Sequence, residues 1–257
     1  MWILLFILIV VLAILVYLYM RSNIKGGGEK VSREYEYAFL FEPFEEATVK
    51  ADELRKKLRD LEAEKKAEVV MPIAVYHHPQ YEPDDKSGPY VRVRHEGDHV
   101  TFTVKSDLDS KFVKEYEVNV EKPNGDTVDE MHKLLTALKF PIKYRVEKLR
   151  EIWNIDDAEV VFDTYPGLPT YIEIEAESKK KLDEVTRKLG FDPKEASARK
   201  QDLYSIVYGI SDDHKPPPNS ELAFNEDAKK QFEGMFEKNE DLFDKLLAEQ
   251  IAYVKKL

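Results

Sequence analysis

The sequence predicts an α+β protein built on an antiparallel β-barrel, charged inside and covered by helices outside. Two observations lead there. Charged pairs spaced two apart recur in the order Glu34/Glu36, Arg92/Arg94, Glu115/Glu117, Lys148/Arg150 and Glu173/Glu175, with Lys105 and Asp163 as single members. Each lies in a strand-like stretch, and a spacing of two puts both side chains on one face. The opposite faces are apolar: Tyr35, Tyr37 and Phe39; Val91 and Val93; Phe102 and Val104; Tyr116 and Val118; Ile172 and Ile174. A single pair of this kind is an ordinary solvated strand face. Five pairs of mixed sign are placed more economically facing one another across a barrel lumen.

The elements follow in order. Residues 1–20 carry no charged side chain. As a helix they span roughly 30 Å, the thickness of a bilayer core. Trp2, Tyr17 and Tyr19 lie near the ends, where aromatic rings favour the interface. A cleaved signal peptide would start with basic residues and end on small ones. This segment has neither, so 1–20 reads as a retained transmembrane helix. Arg21, Lys25, Lys30 and Arg33 follow it, which places the body on the cytoplasmic side of a single-pass anchor. Residues 21–31, with Gly26-Gly27-Gly28, read as a flexible linker.

Residues 33–41 read as the first strand. Residues 44–67 form an amphipathic helix with Leu54, Leu58 and Leu61 on one stripe. A strand at 69–76 leads into a loop at 79–89. A hairpin at 90–105 turns at Glu96-Gly97-Asp98. A strand at 112–121 ends at Pro123-Asn124-Gly125, and a short helix covers 126–138. Strands at 144–153 and 159–163 precede a turn at Pro166-Gly167-Leu168-Pro169 and a strand at 170–176. Ser178 caps a helix that stops at Gly190. One or two short helices fit 192–208. Pro216-Pro217-Pro218 then breaks the chain before a helical region at 224–257, which Asn239 could divide in two by capping. The barrel domain is thus expected at 32–210. A helical extension is expected at 211–257, where a protein partner could dock.

Composition narrows the chemistry. The 257 residues carry a net charge of −11 and no cysteine. An acidic chain does not coat duplex nucleic acid, and without thiols there is neither a disulfide nor a thiolate metal site. The six histidines lack metal-ligand spacing. The triple glycine has no preceding strand and no following Gly-Lys-Ser/Thr, so it is no phosphate loop. The lumen positions comprise seven acids against five bases. Enclosed charge of one sign calls for cations, and hard carboxylate oxygens suit Mg²⁺ or Mn²⁺. The planar fork of arginine suits phosphate. The lumen therefore suits a phosphorylated polyanion together with a divalent metal.

The ordered series resembles the CYTH domain of the triphosphate tunnel metalloenzymes over about residues 32–209. The most specific stretches are Tyr90-Val91-Arg92-Val93-Arg94, Lys114-Glu115-Tyr116-Glu117-Val118, Glu147-Lys148-Leu149-Arg150 and Tyr171-Ile172-Glu173-Ile174-Glu175. Gln201-Asp202-Leu203-Tyr204-Ser205 is similar to the family's closing segment. The resemblance implies a closed eight-stranded antiparallel tunnel that binds a triphosphate or polyphosphate. It implies that Glu34, Glu36, Asp163, Glu173 and Glu175 hold Mg²⁺ or Mn²⁺, with Glu115 and Glu117 nearby. It implies that Arg92, Arg94, Lys105, Lys148 and Arg150 bind phosphates, with Lys105, Lys148 and Arg150 also serving catalysis. The implied activity is hydrolysis of tripolyphosphate, thiamine triphosphate or a nucleoside triphosphate. The alternatives are a class IV-type adenylate cyclase and a low-turnover binding module. One departure stands out: the family's first motif reads Glu-x-Glu-x-Lys, and here Ala38 replaces the lysine.

The membrane reading has a direct check. In sealed vesicles, tags at the two ends should show residues 1–20 retained and the C-terminal body on the cytosolic side. A luminal body, or a mature chain lacking the span, would contradict it.

Overall fold

The computed structural model describes residues 35–81, 88–106, 114–121, 127–196, 203–211 and 220–257. The expected membrane span, the linker, Glu34, the 123–125 turn and the 216–218 break lie outside these residues. Among the described residues no helix is long and apolar enough to cross a membrane.

One large sheet organises the chain. Its strands are β1 Tyr35–Leu40, β2 Glu64–His77, β3 Tyr90–His95, β4 His99–Ser106, β5 Lys114–Glu121, β6 Ile142–Ile155, β7 Ala158–Thr164, β8 Tyr171–Ala176 and the short β9 Glu221–Leu222. The order is β1-β8-β7-β6-β2-β3-β4-β5, all antiparallel, with β9 added to β6 in parallel. The expected antiparallel architecture is present, but among the described residues the sheet is not closed: β1 and β5 are its edges, with no ladder joining them. On the inner face C-terminal side chains pack against β1, β8, β6, β2 and β3.

The helices are α1 Ala47–Asp60, α2 Thr127–Ala137, α3 Lys179–Lys188, α4 Leu203–Tyr208 and α5 Glu240–Val254. α1 and α3 cover the outer face, burying Ala51, Leu54, Leu58, Leu182 and Val185 against Phe39, Phe162, Ile172 and Ile174. α2 buries Leu135 against Tyr76, Val91, Val93 and Val100. The apolar strand faces inferred from alternation are thus the outer ones, helix-covered except at Tyr116 and Val118 of β5, which are exposed. Buried Glu151 also faces outward. It accepts from Arg55 Nε at 2.7 Å and Trp153 Nε1 at 2.8 Å, which ties α1 to β6.

One boundary and one capping contact differ from expectation. The helix expected over 44–67 is a 3₁₀ turn at Phe44–Glu46 followed by α1, which ends at Asp60. Glu62 turns with positive φ, and β2 begins at Glu64 because its backbone pairs with β6 from Asn154 onward. Ladder pairing overrides the helical propensity of Glu-Lys-Lys-Ala. Asn239 precedes α5 but does not cap it by its side chain. That side chain donates instead to the Val207 carbonyl at 2.8 Å. The cap expected at Ser178 is present: its Oγ accepts from the Lys181 amide at 3.3 Å.

Candidate functional site

Strand register brings the predicted charged residues onto one face. Across the ladders Glu36 lies opposite Glu175, Ala38 opposite Glu173, and Asp163 opposite both Tyr171 and Arg150. Lys148 lies opposite Met71, Arg94 opposite Ile73 and Thr101, and Arg92 opposite Val75 and Thr103. Lys105 lies opposite Tyr90 and Glu115. Cross-strand partners share a face, so Glu36, Arg92, Arg94, Lys105, Lys148, Arg150, Asp163, Glu173 and Glu175 share the inner side of the sheet. Glu34 is outside the described residues.

At the centre sits Asp163, with no solvent exposure. Arg150 grips it as a fork, Nε to Oδ1 at 2.8 Å and Nη2 to Oδ2 at 2.6 Å. Lys148 Nζ donates to Oδ2 at 2.8 Å. The Tyr171 hydroxyl reaches the same oxygen at 3.5 Å. Burial by itself would raise the Asp163 pKa, but Lys148 and Arg150 outweigh it and hold the carboxylate well below its usual range. Burial lowers the Lys148 pKa, with Asp163 opposing and Arg150 reinforcing the shift.

Beside this cluster the carboxylates of Glu36, Glu173 and Glu175 each place an oxygen within 4.8 Å of the other two. Glu173 is buried, Glu175 half-buried and Glu36 exposed. Glu173 accepts from Arg150 Nη2 at 3.2 Å. Burial, and then the charge of Asp163, push its pKa up to about 7, against the pull of Lys148 and Arg150. Asp163 lies outside this carboxylate group, because it serves the two cations instead. The oxygen-only trio fits a hard divalent ion, which would relieve its mutual repulsion.

The cationic side is built from β3 and β6. Burial and the neighbouring Arg92 lower the Arg94 pKa, with Arg150 adding to the shift and Glu96 opposing it. Arg92 and Arg150 therefore lie close enough to raise the cost of a third positive charge. Arg94 pairs through Nε with Glu96, whose Oε1 also accepts from Thr101 Oγ1 at 2.8 Å. Arg92 Nη2 reaches Thr103 Oγ1 at 3.5 Å, and Thr103 Oγ1 reaches Glu117 Oε2 at 3.4 Å. Glu117 is exposed and lies on edge strand β5, outside the carboxylate trio.

Glu96 was missed in the sequence, where it reads only as a turn residue. Its signal was available: it stands two past Arg94, so it extends the Arg92/Arg94 face. Tyr165 was also missed. It stacks on Tyr171 at 6.5 Å, and Lys148 Nζ sits 5.9 Å from its ring centre.

The raised Glu173 pKa gives a pH prediction for the metal-free protein. A carboxyl whose folded pKa is raised stabilises the fold below its ordinary pKa, and that contribution is lost as pH rises through the folded value. The melting temperature should therefore fall between about pH 5 and about pH 7.5 on account of this group, and Glu173→Gln should flatten the fall. Parallel profiles for parent and variant would show that Glu173 ionises unhindered.

Comparison with known proteins agrees with this geometry. The model of the CYTH domain matches residues 32–201. No curated protein matches the chain. A solved protein of Pyrococcus horikoshii superposes with a TM-score of 0.50 at 24% identity, covering 67% of this chain and 98% of its own. A Vibrio parahaemolyticus protein described as a candidate adenylate cyclase superposes with a TM-score of 0.52 at 14% identity, covering 68% of this chain and 96% of its own. These likenesses speak for the fold. The family match spans well over half of the chain and takes in the whole charged inner face, so the chain belongs to the CYTH domain family.

Proposed function

We propose that this chain is a divalent-metal-dependent triphosphatase, a hydrolase of compounds that carry a triphosphate. One observation carries the reading: three carboxylates within 4.8 Å share an inner face with Arg92, Arg94, Lys148 and Arg150. An acidic group alone is common on surfaces, and a basic patch alone is a generic anion site. Their juxtaposition on one partly buried face matches a ligand that binds cations and guanidinium groups together. A phosphate chain does both.

The residues divide the work. Glu36, Glu173 and Glu175 would hold Mg²⁺ or Mn²⁺, with Glu34 next to them in sequence. A bound divalent ion would supply charge neutralisation and Lewis acidity at the phosphoryl oxygens. Arg92 and Arg94 bind non-bridging phosphate oxygens from β3. Arg150 reaches the phosphates with its guanidinium plane fixed by Asp163, so that little orientation is lost on binding. Lys148 adds charge at the deep end, and Lys105 supplies a further cation toward edge strand β5. Asp163 acts as a positioning residue. The span at 1–20 would hold this site at the cytoplasmic face of a membrane.

Cyclisation of a nucleoside triphosphate is the competing outcome, given the description of the Vibrio parahaemolyticus neighbour. A product assay separates the two. Full-length protein in detergent is given tripolyphosphate, ATP, thiamine triphosphate or 5′-triphosphate RNA, with Mg²⁺ or Mn²⁺. Orthophosphate should be released from at least one substrate and the release stopped by EDTA. A cyclic nucleotide with pyrophosphate would establish the cyclase instead. Arg94→Ala should weaken substrate binding by roughly ten- to a hundred-fold, the loss of one charge-assisted contact of about 1.5–3 kcal/mol. Unchanged binding would place Arg94 outside the site. Binding without any turnover would favour the binding-module reading.

A further inference from the structure

Two arginines of the inner face are held by carboxylates, and they are held differently. Asp163 takes Arg150 through both Nε and Nη2, and the same Nη2 reaches Glu173. Arg94 pairs with Glu96 through Nε. Nε lies at the root of the guanidinium group. A contact there fixes the plane and leaves the Nη pair at the tip for a two-point grip on phosphate oxygens.

The β3–β4 hairpin builds this contact. Arg94 lies opposite Thr101 across the ladder. The Glu96 amide donates to the His99 carbonyl at 2.8 Å, and Gly97 takes the left-handed turn with φ +80. Glu96 stands two past Arg94, so its side chain returns along the same side of the hairpin. Its Oε1 accepts from Arg94 Nε and from Thr101 Oγ1, the latter at 2.8 Å, while Oε2 lies 3.9 Å from His99 Nε2. Thr101 is buried, and the Arg94 and Glu96 side chains are only 14% and 16% exposed. An exposed turn ion pair would exchange freely with water; this one is sheltered and anchored at a second donor. Burial would raise the Glu96 pKa, but the charge of Arg94 and then the Thr101 hydrogen bond bring it below its ordinary value. Glu96 is therefore anionic at neutral pH and is not a group that shuttles protons.

We propose that Glu96 is a positioning residue for Arg94, which it holds ready to meet phosphate. The inference rests on the reading of the inner face as a phosphate site and assigns that site one more working residue. Two opposite effects are in play. As a negative charge, Glu96 subtracts from a cationic group that also includes Arg92 and Arg150, and so weakens anion binding. As a hold, it fixes in advance a side chain that otherwise loses much rotamer freedom on binding. Charge and reach can be separated: aspartate keeps the charge and shortens the arm by one methylene, whereas glutamine keeps the arm and an acceptor oxygen and removes the charge.

The test is calorimetric titration of the full-length protein in detergent with tripolyphosphate and Mn²⁺, with folding of each variant checked by circular dichroism. Glu96→Asp should weaken binding by about tenfold, the loss of one oriented charge-assisted contact, and Glu96→Gln should lose less than Glu96→Asp. In an Arg94→Ala background Glu96→Asp should change binding by no more than about twofold, because the residue it positions is gone. Binding by Glu96→Asp equal to the parent would overturn the proposal. So would an equal loss in the Arg94→Ala background, or a loss in Glu96→Gln as large as in Glu96→Asp. If Glu96→Asp fails to fold, Thr101→Val takes its place, since it removes the hydroxyl that anchors the same Glu96 oxygen. It should weaken binding by about threefold in the parent and not in the Arg94→Ala background, and an unchanged affinity in the parent would again overturn the proposal. A parent protein that does not bind tripolyphosphate would overturn the phosphate site, and this inference with it.

Discussion

A carboxylate with no access to water must be paired, and the pairing of Asp163 with Lys148 and Arg150 organises the site. It joins β6 to β7 through side chains as well as backbone. It fixes the plane of Arg150, which in turn reaches Glu173. Burial, and then the charge of Asp163, weigh on the neighbouring Glu173 carboxylate, against the pull of Lys148 and Arg150. Glu173 responds by holding its proton up to about pH 7. The site is therefore poised to exchange that proton for a divalent cation.

The same face has to satisfy two opposite demands. Charged groups need water, metal or ligand, whereas the sheet needs apolar burial to be stable. The chain separates them by position along each strand. The outer face is dry under α1, α2 and α3, while Tyr116 and Val118 on edge strand β5 stay exposed. The inner face is dry only where α4 and the C-terminal segment cover it. Stability is thereby concentrated where α4 and the C-terminal segment pack on the sheet.

Much of this was legible in the sequence, because strand alternation is a strict geometric rule. The parity of Glu36, Arg92, Arg94, Lys148, Arg150, Glu173 and Glu175 put them on one face, and the ladders place them there. Parity says nothing about distance around the sheet. It could not tell that Asp163 joins the bases rather than the carboxylate trio, or that Glu117 lies on the far edge. Residues 69–76 carried a warning that alternation alone does not decode. Val-Val-Met-Pro-Ile-Ala-Val-Tyr is apolar on both faces, the mark of a strand buried on both sides. One of those sides is covered by the C-terminal segment, whose docking is a long-range fact with no local periodicity. The helix end near Glu62 was misread for a related reason: strand pairing decided it against local propensity, and a tertiary contact likewise drew the Asn239 side chain away from capping.

The central claim is that one inner face binds a phosphate chain through metal and arginine together. Calorimetric titration of the full-length protein with tripolyphosphate, in Mn²⁺ and then in excess EDTA, tests it most directly. The account predicts saturable binding with the metal and its loss in EDTA. Binding of equal strength in both conditions, or none in either, would contradict it.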